Sequence, residues 1–162
     1  MGERIMRIKG VIDEDFANYK KVSFFIAFPD CTFKCDHDCG RQVCQNGALA
    51  NEPDIEVSFY SLVRRYMENP LTSAIVLGGL EPLYSPQILI ELVQSFRDVT
   101  DDDIVIYTGF NKKEVADIIL QLAAYKNIII KFGRFVPDQQ PHYDAVLGVK
   151  LASDNQYAER IS

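Results

Sequence analysis

The sequence lacks a long apolar run. No stretch reaches about 18 consecutive apolar residues, the length that a membrane-spanning helix requires. The sequence also lacks a positively charged start followed by an apolar core, the pattern of a secretory signal peptide. We therefore expect no membrane span and no export signal, and we expect a cytoplasmic protein.

The chain also lacks an excess of positive charge. Its 17 lysine and arginine residues are outnumbered by 23 aspartate and glutamate residues, so the formal net charge is −6 at pH 7. A general nucleic-acid-binding protein is expected to carry a basic surface. The composition therefore argues against nucleic acid as a partner or substrate.

Cysteine is scarce, and its distribution is uneven. The chain has 162 residues, and its four cysteines, Cys31, Cys35, Cys39 and Cys44, all lie in one short polar stretch. A single domain of this size buries roughly two thirds of its unfolded surface, so it needs no disulfides to fold. In a reducing cytosol, clustered thiols are more often metal ligands or redox groups than structural disulfides. This stretch is therefore the main candidate for chemistry.

The spacing of the cysteines disfavours two common thiol sites. Zinc ribbons usually pair two distant CxxC motifs, and thioredoxin-like redox pairs also use CxxC, but the chain contains no CxxC. A tetrahedral zinc site that uses all four thiolates stays an alternative. A compact loop of soft thiolates suits iron and sulfur better. If only three thiolates bind a 4Fe-4S cluster, one iron stays open to a substrate or cofactor.

The hydrophobic pattern predicts an α/β fold in which strands and helices alternate. Short apolar runs rich in β-branched and aromatic residues predict four buried strands. These runs are Val22 to Phe28, Ser73 to Leu77, Ile104 to Tyr107 and Asn127 to Lys131. Helical spacing predicts helices that begin after Ser58, Ser85 and Asn111, the last with Glu114 in a capping box. The alternation implies a parallel sheet with right-handed crossovers.

We expect one domain over residues 1–162, in which segment 135–162 is the least regular part. A cysteine-containing cluster loop, residues 29–50, follows the first predicted strand, and GGLEP follows the second. The third strand ends in YTGF and the fourth in KFGRF. Sites in parallel α/β sheets gather in the loops that leave the carboxyl ends of the strands. The sequence therefore predicts that these four stretches share one edge of the sheet.

The order of these motifs resembles that of a known enzyme family. CTFKC followed by CQN, then GGLEP, IVIYTGF, KFGRF and the late LASDNQ, span nearly the whole chain. They are similar to motifs of the small radical S-adenosylmethionine (radical SAM) enzymes that activate anaerobic ribonucleotide reductase. The family pattern is CxxxCxxC, then GGEP, then a strand that ends in YTGY. The resemblance implies a partial (βα) barrel of the radical SAM type.

The resemblance also implies a chemistry and two partners. A 4Fe-4S cluster would bind S-adenosylmethionine through its methionyl amino and carboxylate groups, and reductive cleavage would give a 5′-deoxyadenosyl radical. This radical would abstract hydrogen from a glycine of a glycyl-radical enzyme, the anaerobic ribonucleotide reductase or a relative. A one-electron donor such as flavodoxin would supply the electron. A non-catalytic iron–sulfur or zinc module, and a radical SAM enzyme with another substrate, stay as alternatives.

Several residues acquire expected roles from the resemblance. Glu81 and the backbone of Gly78 and Gly79 would lie near the methionyl ammonium group of the cofactor. Further cofactor-binding candidates would line the same edge of the sheet: Tyr107, Thr108, Lys131 and Arg134. Leu80 departs from the pattern, because it stands where a second glycine of GGEP would be and its side chain should crowd a ligand. Gly78 and Gly79, one place earlier, would then provide the space.

The cysteine spacing is a second departure from the family pattern. The family has two residues between its second and third cysteines, whereas this chain has three if Cys39 is the ligand and eight if Cys44 is. Cys44 begins the CQN sequence, which resembles the ending of the family motif. We therefore favour Cys31, Cys35 and Cys44 as the ligands, with Cys39 as the alternate.

Overall fold

The computed structural model describes residues 3–30 and 47–162. Residues 31–46, which we call the cysteine segment, lie outside the described residues. The four predicted thiolate ligands therefore lie outside them too, and the choice between Cys39 and Cys44 stays a prediction. Within the described ranges, no helix is long and apolar enough to cross a membrane.

The described residues contain ten strands and four helices. The strands are β1 (Ile5–Ile8), β2 (Gly10–Asp15), β3 (Ser23–Phe28), β4 (Ile55–Ser58), β5 (Ala74–Gly79), β6 (Asp103–Tyr107), β7 (Ile128–Phe132), β8 (His142–Asp144), β9 (Val149–Leu151) and β10 (Tyr157–Arg160). The helices are α1 (Gly47–Ala50), α2 (Phe59–Glu68), α3 (Pro86–Arg97) and α4 (Ala116–Leu122). Short 3₁₀ turns occur at Pro82–Tyr84 and Lys112–Val115.

Six strands form the main sheet, in the order β10-β7-β6-β5-β3-β2. The central strands β3, β5, β6 and β7 pair in parallel, whereas β2 and β10 are antiparallel strands at the two edges. The four central strands are the four that the sequence predicts, with boundaries that agree within two residues. Their position explains the pattern, because a parallel strand covered on both faces has few polar positions.

The predicted helix boundaries are largely confirmed. Helix α2 begins after Ser58, whose hydroxyl accepts a hydrogen bond from the Ser61 N–H at 3.0 Å, and it ends at Glu68, with Asn69 as its C-cap. Helix α3 follows Ser85 as predicted and begins with proline; serine before a first-turn proline also predicts a side-chain cap, but the Ser85 side chain forms no capping hydrogen bond. After Asn111 the chain first forms a 3₁₀ turn, in which the Glu114 carboxylate accepts the Asn111 N–H at 2.9 Å.

The two faces of the main sheet are covered differently. Helices α2, α3 and α4 pack on one face, where their buried leucines and aromatic residues meet the isoleucines and phenylalanines of the strands. The other face has a smaller cluster, in which Tyr19, Leu147 and Leu151 cover Val76 and Val105. Tyr19 precedes β3, and the leucines belong to the region of the β8–β9 hairpin. Among residues 3–30 and 47–162, short segments and the small β8–β9 hairpin cover this second face, and they leave room for a cavity.

Several strands have no counterpart in the sequence analysis. Segment 135–162, expected to be the least regular part, contains β8, β9 and β10, and β10 forms an edge of the main sheet. Strands β1 and β4 pair with each other in a separate two-stranded sheet. All these strands are short, and charged residues interrupt most of them. Their apolar pattern is too brief to predict a strand, and pairing with a neighbouring strand stabilises them instead.

A buried carboxylate joins several segments at the amino-terminal end of the parallel strands. The Asp103 side chain is 7% exposed and accepts hydrogen bonds from the Tyr19 hydroxyl (2.7 Å), Lys21 (3.0 Å) and Arg160 (3.0 Å). Burial alone would raise the pKa of Asp103, but these three hydrogen bonds and the Arg160 charge hold that pKa below its ordinary value. The charged form of Asp103 therefore stabilises the fold.

We expect Asp103→Asn to lower the free energy of unfolding by about 2 kcal/mol at pH 7, because charge-assisted hydrogen bonds are lost. The folded-state pKa is depressed, so the contribution is present above the ordinary aspartate pKa and declines as the pH falls below it. Urea unfolding of the iron-free chain across that range measures both effects. Glu68→Gln, which removes the partner of exposed Arg64, is the control and should change stability little. Equal effects of the two substitutions would contradict the prediction.

Candidate functional site

The carboxyl ends of β5, β6 and β7, together with Phe25 of β3, border a cavity of about 310 Å³. It opens on the sheet face that the helices do not cover. All seven predicted cofactor-binding residues line this cavity: Gly78, Gly79, Glu81, Tyr107, Thr108, Lys131 and Arg134. Three separate motifs of the sequence therefore meet in one place. The role of these residues toward a cofactor stays a prediction.

Gly78 and Gly79 form the turn at the end of β5, and a side chain is excluded for a different reason at each position. Gly79 has a φ of +85°, and an added Cβ would lie 2.7 Å from the backbone nitrogen of Phe28. A side chain there is therefore excluded by both conformation and space. At Gly78 an added Cβ would lie 2.9 Å from the ring of Phe25. Packing against neighbouring protein atoms therefore requires glycine at both positions, and the expectation that their backbone leaves space for a ligand stays a prediction.

Glu81 is an acidic residue of the cavity wall, and both of its carboxylate oxygens accept hydrogen bonds. It is 5% exposed, and its Oε1 accepts the Gly109 N–H at 2.8 Å. Its Oε2 accepts the Thr108 hydroxyl at 2.9 Å and the Leu83 N–H at 3.0 Å. The carboxylate thus joins the loop after β5 to the loop after β6 and caps the 3₁₀ turn at Pro82–Tyr84.

The protonation of Glu81 reflects opposing influences. Burial raises its pKa above the ordinary glutamate value, while the hydrogen bonds from Gly109, Leu83 and Thr108 and the charge of Lys131 act in the opposite direction. Burial dominates. A carboxylate can accept about four hydrogen bonds, and three come from the chain itself. Glu81 therefore combines a structural role with capacity for one further donor.

Lys131 and Tyr107 form a polar part of the cavity wall. Lys131 is 6% exposed, donates to the Gly133 carbonyl at 2.9 Å and lies 5.5 Å from the centre of the Tyr107 ring. The Tyr107 hydroxyl donates to the Asn18 carbonyl at 2.5 Å, and burial raises the Tyr107 pKa well above its ordinary value. This part of the wall therefore presents a buried cation beside a neutral aromatic ring.

The late LASDNQ motif holds the end of β7 at the same site. The Gln156 side chain donates to the Gly133 carbonyl (3.3 Å) and accepts the N–H groups of Ala152 and Ser153 (3.1 Å each). The Asn155 side chain donates to the Arg134 carbonyl at 2.8 Å. The motif therefore shapes the loop that carries Arg134, and Gln156 itself lines the cavity.

Some lining residues have no signal in the sequence. Asn18 and Phe25 reach the cavity from the first part of the chain, and Val149 and Lys150 reach it from the β8–β9 hairpin. Phe25 belongs to an apolar strand and resembles an ordinary core residue. Only the three-dimensional arrangement of the hairpin over the sheet brings these residues to the site.

The described chain leads into the cysteine segment through Asp30, which lies beside this cavity. Asp30 directly precedes Cys31, and its carbonyl accepts the Glu81 N–H at 2.7 Å. Within residues 3–30 and 47–162, no group of three or more His, Cys, Asp or Glu side chains could hold a metal ion. The cysteine segment supplies a suitable donor set, because soft thiolates are the usual ligands of iron–sulfur clusters. The four thiols of this segment, which follows Asp30 at the cavity, fit such a cluster.

Comparison with known proteins adds one finding. Neither the search of curated proteins nor the search of solved structures found a match. A family described as "4Fe-4S single cluster domain" matches residues 20–156, which include every cysteine and every predicted cofactor-binding residue. The match covers most of the chain. The protein therefore belongs to the 4Fe-4S single cluster domain family and is an iron–sulfur protein.

Proposed function

We propose that this protein is a radical SAM activase that generates a glycyl radical on a partner enzyme, an anaerobic ribonucleoside-triphosphate reductase or a relative. We further propose that its sheet is part of a partial (βα) barrel of the radical SAM type. The single observation that carries the proposal is the cavity that GGLEP, YTGF and KFGRF border, beside the start of the cysteine segment. These are the motifs on which the resemblance to the activases rests.

The chain's own residues suit an amino-acid end of a ligand in this cavity. Glu81 can accept one more hydrogen bond, so it suits the methionyl ammonium group of S-adenosylmethionine. Lys131 places a buried positive charge in the same wall, where it favours a carboxylate. The Phe25 and Tyr107 rings give the cavity apolar surface. The wall therefore offers an acceptor for the ammonium group of an amino acid, a positive charge for its carboxylate, and aromatic surface.

The cofactor would supply the chemistry that these side chains cannot. When bound, a reduced 4Fe-4S cluster supplies one electron that splits S-adenosylmethionine into methionine and a 5′-deoxyadenosyl radical, which takes a hydrogen atom from the partner's glycine. The electron would come from a donor such as flavodoxin. The three thiolates proposed to hold the cluster are Cys31, Cys35 and Cys44, with Cys39 as the alternate.

The size of the cavity supports a large partner. A site for one small molecule typically has a volume of about 300 to 1,000 Å³, and this cavity has a volume of about 310 Å³. One cofactor would therefore occupy most of it, and little room would remain for a second small substrate. A glycine loop of a partner protein would have to approach from outside and close the site against water, which would otherwise quench the radical.

The test combines the reconstituted protein, a one-electron reductant, S-adenosylmethionine and the anaerobic reductase from the same source, without oxygen. We expect a doublet EPR signal of a glycyl radical on the reductase, together with 5′-deoxyadenosine and methionine. Cofactor cleavage without a radical on this partner would indicate a different substrate. A competent cluster without any cleavage would contradict the proposal and favour a non-catalytic iron–sulfur module.

A further inference from the structure

Two basic side chains near the start of the chain lie where the polypeptide enters and leaves the cysteine segment. Arg7 belongs to β1, and Lys9 connects β1 to β2. The described chain enters the segment through Asp30 and continues after it through α1 toward β4. Contacts of Arg7 and Lys9 reach both of these flanking regions.

Lys9 contacts three acceptors on the chain that leaves the cysteine segment. Its ammonium group lies 3.3 Å from the Ala50 carbonyl, 2.5 Å from the Glu52 carbonyl and 2.8 Å from a carboxylate oxygen of Asp54. These contacts match the three donors of a lysine. The Lys9 side chain is only 7% exposed, and its backbone N–H donates to the Ala27 carbonyl of β3 at 2.8 Å. Lys9 therefore ties the region after the segment to the main sheet.

Arg7 adds a weaker connection between the two flanking regions. Its guanidinium lies 2.5 Å from Asp54, after the segment, and 3.5 Å from Asp30, before it. The Arg7 side chain is 55% exposed, so solvent screens these ion pairs and they contribute little. The Lys9 side chain is almost fully buried, and removing it would leave the Ala50 and Glu52 carbonyls without their donor and the Asp54 carboxylate with Arg7 alone. Burial thus identifies Lys9 as the more important of the two.

The charge of Asp54 is consistent with this arrangement. The hydrogen bond from Lys9, together with the charges of Lys9 and Arg7, lowers the Asp54 pKa below its ordinary value. At neutral pH the carboxylate is therefore charged, and the ion pair with Lys9 is intact. Asp54 lies ten residues beyond Cys44, the last cysteine of the segment.

We propose that Lys9 is a positioning residue for the iron–sulfur cluster. By joining residues 50–54 to β3, it restricts where the carboxyl-terminal end of the cysteine segment can lie, and so favours cluster retention. Restricting the ends of a loop lowers the entropy that ligand binding must overcome. The proposal goes beyond the proposed radical chemistry and requires only the cluster of the family.

The test measures iron release from the whole protein after anaerobic reconstitution. We expect Lys9→Met to take up iron but to lose it to a ferrous chelator on the order of tenfold faster than the wild type. We also expect a broadened EPR spectrum of the reduced cluster, since one thiolate would be held less uniformly. Lys9→Arg should restore most of the retention and the narrow spectrum. These measurements do not depend on cleavage of S-adenosylmethionine, so they are independent of the activase test.

Two further variants make the test decisive. Lys112→Met removes a lysine from the half-exposed ion pair with Glu159 and should release iron at the wild-type rate. Asp54→Asn weakens the ion pair between Lys9 and Asp54 by changing the acceptor. This variant tests the proposal if Lys9→Met does not fold. Wild-type release and spectra for Lys9→Met, or for Asp54→Asn when Lys9→Met does not fold, would overturn the proposal. Equal acceleration by Lys112→Met would overturn it as well.

Discussion

Replacing Cys31 or Cys35 by alanine is expected to abolish the iron–sulfur cluster. The wild-type protein, prepared without oxygen, should be brown and carry close to one 4Fe-4S cluster per chain, because the family match includes the cysteine segment. Each of these two cysteines belongs to both possible ligand sets, so neither can be replaced by a neighbour. Iron and sulfide analysis with EPR of the reduced protein measures the loss. Stoichiometric zinc without iron uptake in the wild type would contradict this prediction.

The remaining two cysteines provide the matched comparison. If CQN contains the third ligand, Cys44→Ala loses the cluster, whereas Cys39→Ala retains both the cluster and activity. The reverse result would assign Cys39 as the ligand. Loss of the cluster in both variants would indicate four thiolate ligands. A site closed by four thiolates leaves no open iron for S-adenosylmethionine, so this result would favour a non-catalytic module.

Replacing Glu81 by alanine is expected to weaken both the fold and cofactor binding. The substitution leaves the buried donors of Leu83 and Thr108 and the partly buried N–H of Gly109 without their acceptor, and the loop after β6 loses its connection to the loop after β5. An unpaired buried donor costs about 1 to 3 kcal/mol, so we expect a loss on the order of 3 kcal/mol in the free energy of unfolding. Urea unfolding measures it.

The same variant tests the role of Glu81 toward the cofactor. We expect the reconstituted Glu81→Ala protein to keep its cluster but bind S-adenosylmethionine at least about tenfold more weakly, since a charge-assisted hydrogen bond and the loop geometry are lost. Glu81→Gln retains one acceptor oxygen and should have smaller effects on stability and binding. Glu68→Ala, at an exposed glutamate of α2, is the control. Unchanged affinity with reduced stability would show that Glu81 serves the fold alone.

The contribution of Glu81 to stability changes with pH in the opposite direction to that of Asp103. Its folded-state pKa is raised, so its contribution to stability is greatest below the ordinary glutamate pKa and decreases as the pH rises through the raised value. Asp103, whose pKa is lowered, contributes above the ordinary aspartate pKa. Burial favours the neutral form of Glu81 at the cavity, whereas the cations Lys21 and Arg160 favour the charged form of Asp103.

Local patterns predicted the elements whose stability depends on apolar burial. Strands β3, β5, β6 and β7 are continuous apolar runs because both faces of each strand are covered, and such runs are visible without a structure. The helix that begins after Ser58 was equally clear, because its cap and its buried stripe are local features. Once strands and helices alternate, the position of GGLEP, YTGF and KFGRF at one edge of the sheet follows from parallel topology.

The sequence by itself determined the parallel core, the thiol-rich segment and the motifs that border the cavity, because each depends on residues that are close together in the chain. Only the tertiary structure decided how Glu81 is bonded, that Phe25 contacts Gly78, and that Lys9 holds the chain after the cysteine segment. These contacts join residues far apart in sequence. A charged residue such as Lys9 has no local pattern that distinguishes a buried partner from a solvated one, and its burial depends on where the folded chain places its acceptors.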